Sequence, residues 1–479
     1  MKEESFMIDW KKLAMNYQDS LLNDLQTMIS IASARDTAHK TADELLGPGP
    51  SKALQQFLAF AKRDGFITKN VDNVAGRIEY GQGKDILGVF AHVDVVPAGD
   101  GWQTDPFKAK IHDGKIIGRG ASDDKGPGLA AYYALKLLKD QGLMPQKTIH
   151  FILGTDEESG WYGLHHYLSK EPTPDFGFSP DAEFPIINGE KGIVSFVVKF
   201  DQPVAHVPND QMALLTFHAG LRPNMVPQDA KATLQITSDE QANDVKTAFM
   251  HFLADQQLKG TITQEDDEMH ICLQGVGVHA MNPKVGRNAG TFLAIFLDDL
   301  ALDAAGQNYV HTITKYMHKD FDGTKLGITH HDDLMGDLTA SPDMFNFDRN
   351  SQPTVLINVR YPQGTDADTM NRQMQQTLAA NAQVMTEPGN EVPHYVAKDD
   401  PLVTTLLKVY EDHTHQSAHE QIIGGGTYGR LLKRGVAYGA LFPNRENVMH
   451  QPNEYMYIDD IMASVAIYAD ALYRLTQAK

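Results

Sequence analysis

Short apolar runs alternate with amphipathic stretches along the first 180 residues. That alternation restricts the chain to a sheet with helices packed against it. The spacing predicts helices over 13–31 and 51–64, the second opening after the breaker GPGP with Ser51 as its cap. Strands are expected over 77–80, 86–91 and 148–153, and helices over 127–141 and 162–169. This order gives an α/β fold with a mostly parallel central sheet and helices on both faces. Ligands of such sheets gather at the carboxyl ends of the strands. His92-Val93-Asp94 follows the run 86–91, and Glu157-Glu158 follows 148–153.

The pattern changes after Asp181. From Gly192 onward IVSFVVKF, ATLQIT and HICLQGVGVHA suit antiparallel strands, interleaved with amphipathic helices over 239–257 and 289–302. A strand-then-helix unit over 355–361 and 366–379 echoes the one over 232–237 and 239–257. We read an inserted α+β domain of two similar halves. The expected division is 1–191 for the first part of a catalytic domain, 192–392 for the insertion and 393–479 for the second part. In that last part, helices are expected over 401–412, 427–434 and 457–476, with a strand over 436–442.

Composition excludes more than it assigns. With 42 basic against 62 acidic side chains the formal charge is −20, which opposes nucleic-acid and anionic-membrane partners. No apolar run approaches the roughly 20 residues that span a bilayer. The first residues, MKEESFMIDWKKL, lack the basic and apolar regions of a secretory leader, so a cytoplasmic location is expected. Cys272 is the single cysteine, so a thiolate metal cluster cannot form and any metal site must use His, Asp and Glu.

Five separated segments supply such ligands: His92 in HVD, Asp123 in GRGASDDKG, Glu158 in TDEESG, Asp181 in SPDAE and His450 in HQPNE. One carboxylate can bridge two cations about 3.5–4 Å apart, and a cation pair sharing a water suits hydrolysis of a stable bond. Asp94, two residues beyond His92, lies on the same strand face and is placed to accept its second ring N–H. Of the adjacent Glu157 and Glu158, one is free to bind metal while the other takes a proton, a task served by a pKa raised in a dry, acidic cleft. Taken singly, each segment also describes a surface pair or an acidic helix cap; Asp124 in particular suits a cap for the helix over 127–141. His413-x-His415 with His419 reads as a solvated helix end, and His165-His166 as packing or surface. Gly424-Gly425-Gly426-Thr427 lacks the lysine of a phosphate loop, but its N–H groups suit a carboxylate or an oxyanion.

Together, HVD, DPFKAKIHDGKIIGRGASDDKGP, TDEESG, SPDAEFP, GVGVHAMNPKVGRNA and HQPNE resemble the co-catalytic zinc peptidase and deacylase family. That family takes in ArgE/DapE-type deacylases, aminoacylases and glutamate carboxypeptidases. The long insertion and IIGGGTYGR look most like its PepV-type bacterial dipeptidases. The resemblance implies two Zn2+ per chain, with Co2+ or Mn2+ as substitutes. His92, Asp123 and Asp181 would hold one, and Glu158, His450 and the same Asp123 the other. It implies Glu157 as general base, Asp94 as the residue orienting His92, and a cis Asp123–Asp124 peptide. His279 would reach the scissile carbonyl; Asn224, Arg360, Gly425 and Gly426 would bind substrate, Arg360 through the α-carboxylate.

The expected activity is hydrolysis of dipeptides with a free N-terminus, carnosine-like Xaa-His dipeptides included. The alternatives are an N-acyl amino acid deacylase of the same family and a metal-holding protein without catalysis. Two insertion halves would let one chain cover its own site, so a monomer with a lid is expected.

Overall fold

The computed structural model describes residues 8–203, 207 and 211–477. These divide into two compact units. The first takes 8–189, 395–422 and 426–477; the second takes the described residues of 190–394 together with 423–425.

In the first unit, six strands lie in the order Ile67–Val71, Ala75–Tyr80, Thr148–Gly154, Ile86–His92, Phe176–Ser179, Gly435–Ala437. The last three pairings are parallel and the first two antiparallel, so the sheet is mixed. Successive side chains take opposite faces. Val89, Ala91, Phe151 and Leu153 join a core with the helices Gln18–Ile29, Pro48–Arg63, Lys125–Asp140 and Ile458–Thr476. Phe90 and Ile152 join a second cluster with Leu164 and Tyr167 of Tyr162–Lys170 and with Tyr428. Burial on both faces is why these strands read as unbroken apolar runs.

Several boundaries differ from the expectation. Residues 13–31 form two helices, Trp10–Met15 and Gln18–Ile29, separated at Tyr17. The helix expected from Ser51 begins inside the breaker, as Pro48–Arg63. Proline's fixed φ suits a first turn, and Gly47 takes the positive φ of 102° before it. Ser51 is therefore buried within the helix instead of capping it. The edge strand Ile67–Val71 was missed because only Val71 of ITKNV is buried. Residues 436–442 form two short strands, Gly435–Ala437 and Ala440–Leu441.

The second unit is built on one antiparallel sheet of eight strands. Their order is Lys259–Glu265, Glu268–Gln274, Asp229–Gln235, Ala213–Ala219, Thr339–Asp348, Thr354–Tyr361, Gly192–Lys199, Gln383–Thr386. The two strand-then-helix units lead into Asp239–Gln256 and Ala367–Leu378. Each helix starts at a side-chain cap: Ser238 Oγ accepts from Gln241 N and Asp366 Oδ1 from Thr369 N. The stretch 289–302 stops as a helix at Asp298, and a further helix, Ala304–Tyr316, was not anticipated. Its core contacts are Tyr309, Val310 and Ile313, too few apolar positions to stand out in a polar segment. Among the described residues, no helix is long and apolar enough to cross a membrane.

Candidate dinuclear metal centre

The parallel strands of the first unit end where the ligand-bearing segments begin. His92 is the last residue of Ile86–His92 and is 1% exposed. Its Nε2 lies 3.0 Å from Asp123 Oδ1 and 3.4 Å from Asp181 Oδ2. His450 Nε2 lies 2.9 Å from Asp123 Oδ2 and 3.0 Å from Glu158 Oε2. Two triads result, His92/Asp123/Asp181 and Asp123/Glu158/His450, each with its ligand atoms within 4.8 Å of one another. Asp123 offers one oxygen to each. The Asp123–Asp124 peptide is cis.

Asp94 acts in two directions. The ring Nδ1 of His92 is 3.0 Å from the Asp94 backbone carbonyl and 3.4 Å from its carboxylate, so the closer acceptor is the carbonyl and not the side chain. The carboxylate instead accepts the backbone N–H groups of Glu157 and Glu158, each at 3.2 Å. The strand that ends in His92 thereby also holds the turn that carries both glutamates. Asp124 does not cap the following helix Lys125–Asp140 through its side chain. It is fully buried, and its Oδ2 accepts from His92 N at 3.0 Å.

The charges of the cluster suit added cations. Among the described residues, the ion pairs of Asp123, Asp181 and Glu158 are all with imidazoles. Burial opposes a charged His92, yet bonds to Asp123, Asp181 and Asp94 carry its pKa well above the usual range. Burial likewise opposes charge on His450, but Asp123 and Glu158 raise it to about 11. Burial lifts Glu158 to about 7, with Asp123 reinforcing and His450 opposing. Asp181 rises through burial and the Asp123 charge. Burial also lifts Glu157 well above the carboxylate range, with His92 opposing and Asp181, Glu158 and Asp123 adding. Such a cluster takes up protons that a divalent cation displaces on binding. Two imidazoles and three carboxylates, with no thiolate, are a hard donor set that suits zinc, cobalt or manganese. The residues present therefore fit a cation pair.

The second unit holds all the remaining candidates but Gly426. Asn224 and His279 are exposed on adjacent loops: Ala280 N donates to Asn224 O at 2.9 Å, and Met225 bridges His279. His279 Nδ1 accepts from Met281 N at 3.1 Å. Arg360 lies on Thr354–Tyr361 and is 5% exposed. Its Nε donates to Asn358 Oδ1 at 2.8 Å and its Nη1 to Gly424 O at 2.9 Å. Gly425 closes the segment 423–425, and Gly426 belongs to the first unit. The turn after the glycines, Tyr428–Leu431, is a short 3-10 helix capped by the Thr427 side chain, which accepts from Gly429 N.

The other histidine clusters have ordinary partners. His413 Nε2 is 3.1 Å from Asp470 Oδ2, a half-buried pair where a solvated end was expected. His166 is 2.7 Å from Asp72. The motifs contained three further buried polar groups to which they gave no role. Lys125 is wholly buried and donates to the carbonyls of Met28 and Ile31 at 3.0 and 2.8 Å, where a helix ends. Arg119 and Glu454 form a buried ion pair at 2.7 Å. Charged residues directly flanking ligand segments were the available signal.

Residues 88–474 match the model of peptidase family M20/M25/M40, and the chain belongs to that family. Over 471 residues it is 49% identical to the Beta-Ala-Xaa dipeptidase of Lactobacillus delbrueckii subsp. lactis, covering 98% of this chain and 99% of that one. Human carnosine dipeptidase 1 shares the fold at a TM-score of 0.58, with 15% identity over 98% of each chain. The aminoacylhistidine dipeptidase of Vibrio alginolyticus does so at 0.58, with 16% identity over 96% of this chain and 97% of that one.

Proposed function

We propose that the chain is a zinc dipeptidase that hydrolyses dipeptides with a free N-terminus, β-Ala-Xaa and carnosine-like Xaa-His substrates included. The observation that carries this is Asp123, one carboxylate with an oxygen in each of two His/Asp/Glu triads. His92, Asp123 and Asp181 would hold one cation, and Asp123, Glu158 and His450 the other. When bound, the pair supplies Lewis acidity for the peptide carbonyl and acidifies the attacking water.

The chain's own residues do the rest. Asp94 fixes Glu157 and Glu158 through their backbone N–H groups. Glu157 stands outside both triads, and burial raises its proton affinity. It takes the proton of the attacking water and delivers it to the leaving amine. The motif resemblance gives His279 the oxyanion and Arg360 the substrate α-carboxylate, with Asn224, Gly425 and Gly426 as further substrate contacts. The burial of Arg360 and its bonds to Asn358 Oδ1 and Gly424 O support a guanidinium of fixed orientation in that role. The two strand-then-helix units of the second unit favour a monomer, and the acidic charge is consistent with a cytoplasmic protein.

The test is an assay of free-amine dipeptides beside their N-acetyl and N-succinyl counterparts, with metal counted. Hydrolysis of the dipeptides, lost on chelation and restored by zinc, is expected. Cleavage confined to the N-acyl compounds would overturn the dipeptidase reading. Light scattering at one chain mass checks the monomer.

A further inference from the structure

We propose that Glu454 is a positioning residue of the dinuclear centre. Its buried carboxylate, paired with Arg119, sets the Asp123 loop and the His450 loop in mutual register. The inference rests on the metal-centre reading above and adds a device that holds it in shape.

Local pairing brings the two loops together. Strand Tyr455–Tyr457 runs antiparallel to Lys115–Ile117, with Tyr455 opposite Ile117. Just before Tyr455 comes 450–454, which carries His450. Just after Ile117 comes 118–123, which carries Asp123. Gly118 N donates to Glu454 O at 2.9 Å and extends the pairing by one step. At this fork the Glu454 side chain is fully buried.

Its carboxylate is surrounded by donors. Oε1 accepts from Ser122 N at 2.8 Å, Ser122 Oγ at 3.0 Å and Asp123 N at 3.2 Å. Oε2 accepts from Arg119 Nη1 at 2.7 Å and Gly120 N at 3.1 Å. These fill the roughly four lone-pair positions of a carboxylate. Asp123 N belongs to the residue common to both triads. Arg119 also reaches the second loop: its Nη2 donates to His450 O and its Nη1 to Gln451 O, both at 3.4 Å, while Nη2 donates to Ala98 O at 3.1 Å. The loop has little room to take another path, since a Cβ on Gly120 would lie 2.8 Å from Lys125 Cδ and Gly120 holds a φ of 88°.

A buried ion pair is a poor source of net stability, because desolvation offsets its attraction. Its geometric effect is larger: partners that orient metal ligands typically change metal affinity by about 10–100-fold when altered. Glu454 lies outside both triads and bonds to 118–123, so it acts through Asp123 and, by way of Arg119, His450.

Glu454→Gln isolates this role. The amide has the same shape, but its NH2 meets N–H donors in either orientation. Metal-free full-length protein is titrated with zinc against a chromophoric chelator and with cobalt(II) followed by visible absorption. Wild type taking up no cation would sink the metal-centre reading itself. With wild type at two equivalents, Glu454→Gln is expected to bind at least one of them about 10–100-fold more weakly. Its cobalt spectrum is expected to shift, while cooperative melting of the metal-free chain is kept. Both equivalents bound within twofold of wild type, with an unchanged spectrum, would overturn the positioning role. Should Glu454→Gln fail to melt cooperatively, Ser122→Ala decides. It removes one donor of five, and a several-fold weaker metal affinity at unchanged melting temperature supports the role. Unchanged affinity in Ser122→Ala refutes it.

Discussion

The two units bury charge in opposite ways. In the second, Asp303 is neutralised by the Arg349 guanidinium and also accepts Leu214 N at 3.1 Å. Asp343, fully buried, is held by the Ser341 hydroxyl at 2.5 Å. In the first, Asp123, Asp181 and Glu158 face imidazoles whose own pKa values are driven up by those carboxylates. The second unit's Asp303 is met by a guanidinium of the protein itself, whereas Asp343 keeps one buried oxygen without a partner among the described residues and is pushed up to about 8 by burial. The first unit's cluster gathers three carboxylates and two imidazoles around one point, and that convergence separates a candidate site from a lone buried acid.

The contrast can be broken in several places. Glu157→Gln is expected to lower turnover by about 10²–10⁴-fold, the usual contribution of a positioned proton carrier. Elemental analysis should still find two metals per chain; normal turnover would remove Glu157 from its role. Asp303→Asn is expected to destabilise the second unit by about 3–5 kcal/mol, since the buried Arg349 loses that carboxylate. Denaturant melts report this, and metal content should not change. Metal removal is expected to act on the other side of the comparison. A cation held at 100 times its Kd stabilises by about 2.7 kcal/mol, so chelation should lower hydrogen-exchange protection near His92, Asp123 and Glu158. Equal loss across the sheet of the second unit would erase the distinction. Arg360→Lys, which removes the bidentate fork, is expected to raise KM about 10–100-fold with a smaller change in kcat.

The smallest effect concerns pH. Burial raises Asp343 to about 8, with Ser341 and Arg360 opposing. The folded chain therefore binds more protons than the unfolded one between roughly pH 4 and pH 8. Stability from this group is complete at the acidic end of that window and is lost as pH rises through it. Asp343→Asn cannot ionise, so its melting temperature relative to wild type should rise steadily from about pH 4 to about pH 8. An equal shift at about pH 4 and about pH 8 would show that charge is not the cause.

The motifs brought the two His/Asp/Glu triads into view because each candidate segment is short, and its acids and histidines stand against strand-like runs. Other features were not legible. Ile67–Val71 buries only Val71, so its pairing depends on a neighbouring strand and not on its own pattern. The His92 ring was expected to meet the Asp94 side chain, but its nearer acceptor is the Asp94 carbonyl, and backbone acceptors leave no trace in residue type. The helix Ala304–Tyr316 is set by tertiary burial of Tyr309, Val310 and Ile313. Glu454 was in view within HQPNE, but nothing local says that its carboxylate collects donors from 119–123.

The order of residues was enough to state which chemistry the chain carries. Ligand atoms are a property of side-chain type, and apolar periodicity shows which of them follow buried strands. Which oxygen of Asp123 meets which imidazole, and which buried groups hold that oxygen in place, was settled by packing. Some of those contacts join segments more than 300 residues apart, such as Glu454 with Arg119, whose distance apart depends on every element folded between them.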